Sequence, residues 1–210
     1  MSATFAVSLT IQFMKKRILL FIAAAGISAA AQAQNTRLGL KLGPSLTSFT
    51  GDDVRDAAYK FGFHAGGVAE LNVNDRIAIQ PEVLFSMKGA KAEDADFSYN
   101  SSYVDFPVLL KIKANGLFFE AGPQAGILLT SRFKADDLSV DVKDEFKGFD
   151  LGYAAGLGFQ AASGLMVGLR YNGGITRIGK DTKIGSVTIE AGEVRNSAFQ
   201  LYAGFLFGSK

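Results

Sequence analysis

Phe61-Gly62-Phe63-His64-Ala65-Gly66-Gly67-Val68-Ala69-Glu70-Leu71-Asn72-Val73 is written in two alternating alphabets. Phe61, Phe63, Ala65, Gly67, Ala69, Leu71 and Val73 fall on one parity. Gly62, His64, Gly66, Val68, Glu70 and Asn72 fall on the other. Successive side chains of a strand point to opposite faces, so this spacing predicts a strand with one greasy and one mostly polar face.

Seven further runs carry the same split: Leu38–Leu46, Ile77–Lys88, Tyr103–Lys113, Leu117–Leu129, Phe149–Ala161, Leu165–Tyr171 and Ala198–Phe207. No Lys, Arg, Asp or Glu stands on the apolar parity of these cores. A cation there would cost about 2–4 kcal/mol at a bilayer midplane. The connections alternate as well. Asn74-Asp75, Asn115-Gly116 and Ser163-Gly164 read as tight turns, while 49–60, 89–102, 130–148 and 172–197 read as long polar loops. Short turns on one side and long loops on the other are the rhythm of an eight-stranded antiparallel up-and-down transmembrane β-barrel. Its short turns would face the periplasm. An even number of strands closes the sheet and leaves no edge in hydrocarbon. Aromatics gather at both ends of the runs: Phe61, Phe63, Phe85, Phe149, Tyr171 and Phe199 near the loops, and Phe119, Phe159, Phe205 and Phe207 near the turns.

Alternation alone also describes a soluble lipocalin-like barrel with its apolar face inward. Three features favour the inverted, membrane version. The apolar parity is crowded with Phe and Leu across all strands. The last strand ends in Phe205-Leu206-Phe207, which resembles the aromatic-ended terminal strand of outer-membrane barrels. Glycine, the third, recurs on the polar parity, at positions 43, 62, 66, 122, 126, 152, 156, 158, 168 and 204. A narrow lumen must mix small and large side chains, whereas a wet outer surface has no such need. The polar parity also carries Glu70, Glu82, Asp105, Glu120 and Asp150 against Lys41, Lys88, Lys111, Lys113 and Arg170. Charges of both signs inside a barrel that has room only for its own side chains are expected to pair across it. They form a structural lumen charge network and plug the bore.

The chain opens with an address. Lys15-Lys16-Arg17, the apolar stretch Ile18 to Ala25 and Ala31-Gln32-Ala33 read as a signal peptide, with 1–33 removed, 34–210 forming the barrel and translation starting at Met14. Without those three basic residues the remaining 177 residues hold 19 basic against 20 acidic side chains, a net charge of −1. That leaves no electrostatic footprint for nucleic acid. Cysteine is absent, which excludes disulfides, thiolate metal sites and a lipoprotein anchor.

Tyr103-Val104-Asp105-Phe106-Pro107-Val108-Leu109-Leu110-Lys111 resembles a strand of the PorT-type outer-membrane β-barrel family of Bacteroidetes. Phe119-Glu120-Ala121-Gly122-Pro123 and Arg170-Tyr171-Asn172 followed by Gly174-Ile175 are similar to two further family segments. The resemblance implies an eight-stranded barrel in the outer membrane. It implies little about activity, because function belongs to sites and not to folds.

Chemical motifs are sparse. His64 is the only histidine and lies between glycines on the lumen parity, with no G-x-S-x-G elbow anywhere, so a structural role is expected. Gly156-Leu157-Gly158-Phe159-Gln160-Ala161 matches a dinucleotide fingerprint but falls inside a strand, where no helix N-terminus can meet a pyrophosphate. The segment 134–147 is rich in Asp, Glu and Lys without calcium-loop spacing, and reads as a solvated loop. Asn100-Ser101-Ser102 is a sequon, uninformative alone. No catalytic, cofactor or metal residue is expected. The reading that needs nothing further is a structural or binding anchor with long outer loops. Its expected partners are outer-membrane lipid, lipopolysaccharide and the barrel-assembly machinery. A small-solute channel, a secretion-associated barrel and a barrel-embedded lipid-modifying enzyme stand as alternatives.

Overall fold

The computed structural model describes residues 36–52, 54, 57–92, 97–135, 138–184, 187–189 and 192–208. The expected signal peptide and its cleavage site lie outside them. Eight long strands form the wall: β1 (Thr36–Thr50), β2 (Lys60–Asn72), β3 (Ile77–Lys88), β4 (Phe97–Ala114), β5 (Leu117–Ala135), β6 (Phe149–Gln160), β7 (Leu165–Gly174) and β8 (Arg195–Leu206). Each pairs with its chain neighbours and β8 returns to β1, so the ring is closed and antiparallel throughout. The twelve residues of β3, at about 3.3 Å each and tilted by about 40°, rise about 30 Å.

The barrel is inside out relative to a soluble protein. Leu38, Leu40 and Leu42 of β1 are 62%, 56% and 62% exposed, while Lys41 between them is 1% exposed. The same alternation runs down every strand, with Phe61 at 70% and its neighbour Gly62 buried. Only hydrocarbon outside and a packed polar interior satisfy both parities at once.

The turn at Asn115-Gly116 shows why the short connections are short. Asn115 has φ 51° and Gly116 has φ 85°. Two successive left-handed residues make the turn whose twist matches a hairpin. Lumen glycines serve packing instead. Gly158, Gly168 and Gly204 stand opposite Phe118, Tyr202 and Met166 in register on neighbouring strands. A Cβ on any of the three would meet that partner's side chain at 2.4–2.6 Å.

The structure corrects the long-loop boundaries. Most of 89–102 and 130–135 is strand: β4 and β5 rise past the apolar belt as a continuous hairpin, Phe97 pairing with Ala135. A short strand Leu138–Asp141 adds to its edge, and Lys143–Glu145 makes a single 3-10 turn. Aromatic contacts hold this extension. Tyr99 lies 5.2 Å from Phe133, 6.0 Å from Phe49 and 6.1 Å from Phe146. Likewise β7 runs on to Gly174 and β8 starts at Arg195, so Asn172 and Asn196 are strand residues and not loop residues.

All four prolines, Pro44, Pro81, Pro107 and Pro123, lie within wall strands. Proline cannot donate to the ladder. The paired register skips two residues on each side at four places: Gly43–Pro44 against Leu201–Tyr202, Ala69–Glu70 against Gln80–Pro81, Glu82–Val83 against Phe106–Pro107, and Val108–Leu109 against Gly122–Pro123. The ladders β5–β6, β6–β7 and β7–β8 run without a break.

Candidate functional site: the lumen

Three tiers of charge fill the bore. The tier nearest the short turns centres on Glu70. Lys111 Nζ donates to Glu70 Oε2 at 3.0 Å and to Gln160 Oε1 at 2.6 Å, and Lys113 approaches Glu70 Oε1 at 3.4 Å and also donates to Asn72. Lys111 also lies 4.1 Å above the Phe118 ring. Gln80 links this tier to the next, accepting from Lys111 at 3.1 Å and donating to Glu82 at 2.6 Å.

The middle tier is a knot of charged side chains from β1, β3, β5 and β7, joined by Tyr202 of β8. Arg170 Nη1 donates to Glu82 Oε2 at 2.8 Å, its Nη2 to Glu82 Oε1 at 2.9 Å, and its Nε to Glu120 Oε1 at 2.8 Å. Lys41 Nζ donates to Glu82 Oε1 at 2.7 Å, and Tyr202 O–H to Glu120 Oε1 at 2.9 Å. Lys41 sits 3.9 Å over the Tyr202 ring. These charged side chains have no solvent exposure. One arginine, forked on Glu82 and reaching Glu120 Oε1, joins a lysine in neutralising two buried carboxylates, as burial of such charges demands.

In the outer tier Lys88 donates to Asp105 Oδ1 at 2.8 Å and stands 3.9 Å from Asp150 Oδ2. Asn196 Nδ2 and Thr176 O–H donate to the two oxygens of Asp150 at 2.9 and 3.0 Å.

All ten charged residues read from the parity thus stand inside the barrel, each in an ion pair. Nine are buried; Lys113, at the turn end, is half-buried. Their partners Gln80, Gln160, Tyr202, Tyr103 and Asn196 are equal members of the network. The first four share the lumen parity of the runs and Asn196 lies outside them, but nothing in the sequence ties any of the five to particular charges. A second feature went unread: Val68, Phe118, Met166, Tyr202 and Leu206 make an apolar cluster inside the same bore.

His64 Nδ1 lies 3.0 Å from Ser45 Oγ, and its Nε2 has no hydrogen-bond partner. A nucleophile–base–orienter relay needs a group on each ring nitrogen. Here only one nitrogen is engaged. Gly156 and Gly158 lie in β6, followed by the turn into β7. In the acidic segment, Asp136 and Asp137 fall outside the described residues. Among the described residues no three His, Asp or Glu gather as a metal cluster would.

A closed eight-stranded barrel with a lipid-facing apolar belt and an ion-paired interior is an outer-membrane barrel protein. The chain belongs to the outer membrane protein beta-barrel domain family, whose model matches residues 31–179. It resides in the outer membrane. Among solved structures it is similar to Neisserial surface protein A (NspA), at 14% identity over 81% of this chain and 97% of that one, with a TM-score of 0.53. It is also similar to Ail, the attachment invasion locus protein of Yersinia pestis, at 15% identity over 82% and 99%, with a TM-score of 0.47. These likenesses concern the fold. No curated protein matches the chain.

Proposed function

We propose that this protein is a closed, non-catalytic anchor whose work is done by what it holds above the membrane. One observation carries the reading: the Lys41–Glu82–Arg170–Glu120 knot joins β1, β3, β5 and β7 through the centre of the bore, with every charged group dry. Opening a solute path would strip partners from buried charges, at several kcal/mol each. Side chains of the ten lumen residues therefore act as a structural plug. The β4–β5 extension and the connections beside it are the surface offered outside. Lipopolysaccharide and outer-membrane lipid meet the apolar belt, and the barrel-assembly machinery inserts it. The likeness of the Tyr103–Lys111 segment to a strand of the PorT-type family supports membership of that branch of Bacteroidetes barrels, and the Lys15–Ala33 pattern supports residues 1–33 as an export signal with the mature chain starting at Gln34.

Planar-bilayer recording tests the plug. The reading expects no steady conductance from the folded barrel, and a large, stable channel would overturn it.

A further inference from the structure

We propose that the outer tier of the lumen holds one small monovalent cation, of alkali-metal or ammonium size, between β6, β7 and β8. A cavity of about 10 Å³ lies there, lined by Lys88, Asp150, Asn172 and Asn196 and widened by Gly152 and Gly173. That is the room one water-sized body needs. Asn172 and Asn196 are 5% and 4% exposed, and the Oδ1 of each has no hydrogen-bond partner. The orientation of Asn196 is fixed, because its Nδ2 donates to Asp150 Oδ2 at 2.9 Å; its Oδ1 can only accept. Asp105 Oδ2 in the same tier is also buried and unpartnered. Every unsatisfied atom of this tier is thus an oxygen acceptor. Whatever satisfies them must donate hydrogen bonds or carry positive charge.

Charge separates those two choices. The middle tier is neutral, Lys41 and Arg170 against Glu82 and Glu120. The tier at the turns has an excess of positive charge, Lys111 and Lys113 against Glu70 with Arg37 buried beside Leu206, and Lys113 there reaches solvent. The outer tier sets Lys88 alone against Asp105 and Asp150, all three buried. Lys88 is drawn to Asp105 at 2.8 Å and lies 4.5 Å over the Tyr103 ring, which leaves Asp150 only a long ion pair to it at 3.9 Å. A buried excess carboxylate beside two free amide oxygens is a hard, oxygen-only site. Its single net charge and small size suit a monovalent ion, since calcium demands six to eight oxygens.

The test uses the folded full-length barrel in detergent. Thermal unfolding is followed by circular dichroism as potassium chloride replaces N-methylglucamine chloride at constant ionic strength. The expected result is a Tm that climbs by about 3–5 °C per tenfold rise in potassium above half-saturation. An Asn172→Ala barrel that still migrates as folded on unheated gels should lose that dependence. Crystals soaked in thallium(I) acetate should show an anomalous peak within bonding distance of Asn172 Oδ1 and Asn196 Oδ1. A Tm indifferent to the cation, or no peak between the two amides, would overturn the proposal and leave the cavity to water.

Discussion

Arg170 on β7 grips Glu82 on β3 through two hydrogen bonds of 2.8 and 2.9 Å, eighty-eight residues away along the chain and across the full bore of the barrel. Removing the guanidinium leaves Glu82 and Glu120 buried together with only Lys41 to balance them. Arg170→Ala should therefore destabilise the barrel by about 3–5 kcal/mol, measured by urea unfolding in lipid vesicles. Arg170→Lys keeps the charge but loses the fork, and should recover only part of that loss. Equal stability of Arg170→Ala and the parent would mean that the knot contributes nothing.

Tyr202 adds a neutral donor to the same knot. Its O–H serves Glu120 Oε1 at 2.9 Å, and its ring fits because Gly168 opposite has no side chain. Tyr202→Phe should cost about 1–3 kcal/mol through the buried acceptor it deprives. Gly168→Leu should cost more, since a Cβ would stand 2.6 Å from the ring and phenolic oxygen of Tyr202. Both are read from the temperature at which the gel band shifts from folded to unfolded mobility.

The four prolines divide the wall into two kinds of ladder. Between β1 and β8 and across β2 to β5 the register skips beside Pro44, Pro81, Pro107 and Pro123, while β5–β6, β6–β7 and β7–β8 are continuous. Hydrogen exchange in nanodiscs should be faster in 69–71, 80–83 and 106–109 than in 153–158 and 166–171. Uniform protection around the ring would show that the gaps have no energetic weight.

Tyr99 is the centre of the extension above the belt, touching Phe49, Phe133 and Phe146. Tyr99→Ala should leave the barrel folded yet expose the β4–β5 tip and Leu138–Asp141 to protease. The readout is the position of the first cut, found by mass spectrometry. Cleavage unchanged from the parent would deny the aromatic contacts any role in ordering that sheet.

What could be read from the chain tracks where two solvents press on one strand. In Phe61–Val73 and Ile77–Lys88, hydrocarbon and lumen make opposite demands on alternate residues. Parity therefore reports the fold and places the ten charges inside. Above the belt that contrast vanishes. Phe97, Tyr99 and Phe133 stay in strands through aromatic contacts that no period announces. A bulge adds to the difficulty. Ser102 pairs with Thr130 but Tyr103 with Leu128, so Leu129 is an extra residue and the count by two slips. Ser131, at 0% exposure and 2.9 Å from Ser101, is the inward residue where unbroken alternation names Thr130. Which acid meets which base was equally illegible, because Arg170 and Glu82 become neighbours only when the ring closes.

The absence of cysteine allows one measurement to address the whole account. Single cysteines introduced from Phe199 to Phe205 along β8 would each carry a spin label in a reconstituted bilayer. Collision with oxygen, which concentrates in hydrocarbon, is compared with collision with a water-soluble nickel complex. The account predicts a period of two, with oxygen maxima at 199, 201, 203 and 205 and low access to either reagent at 200, 202 and 204. Oxygen maxima at the even positions, or nickel access at the odd ones, would contradict it.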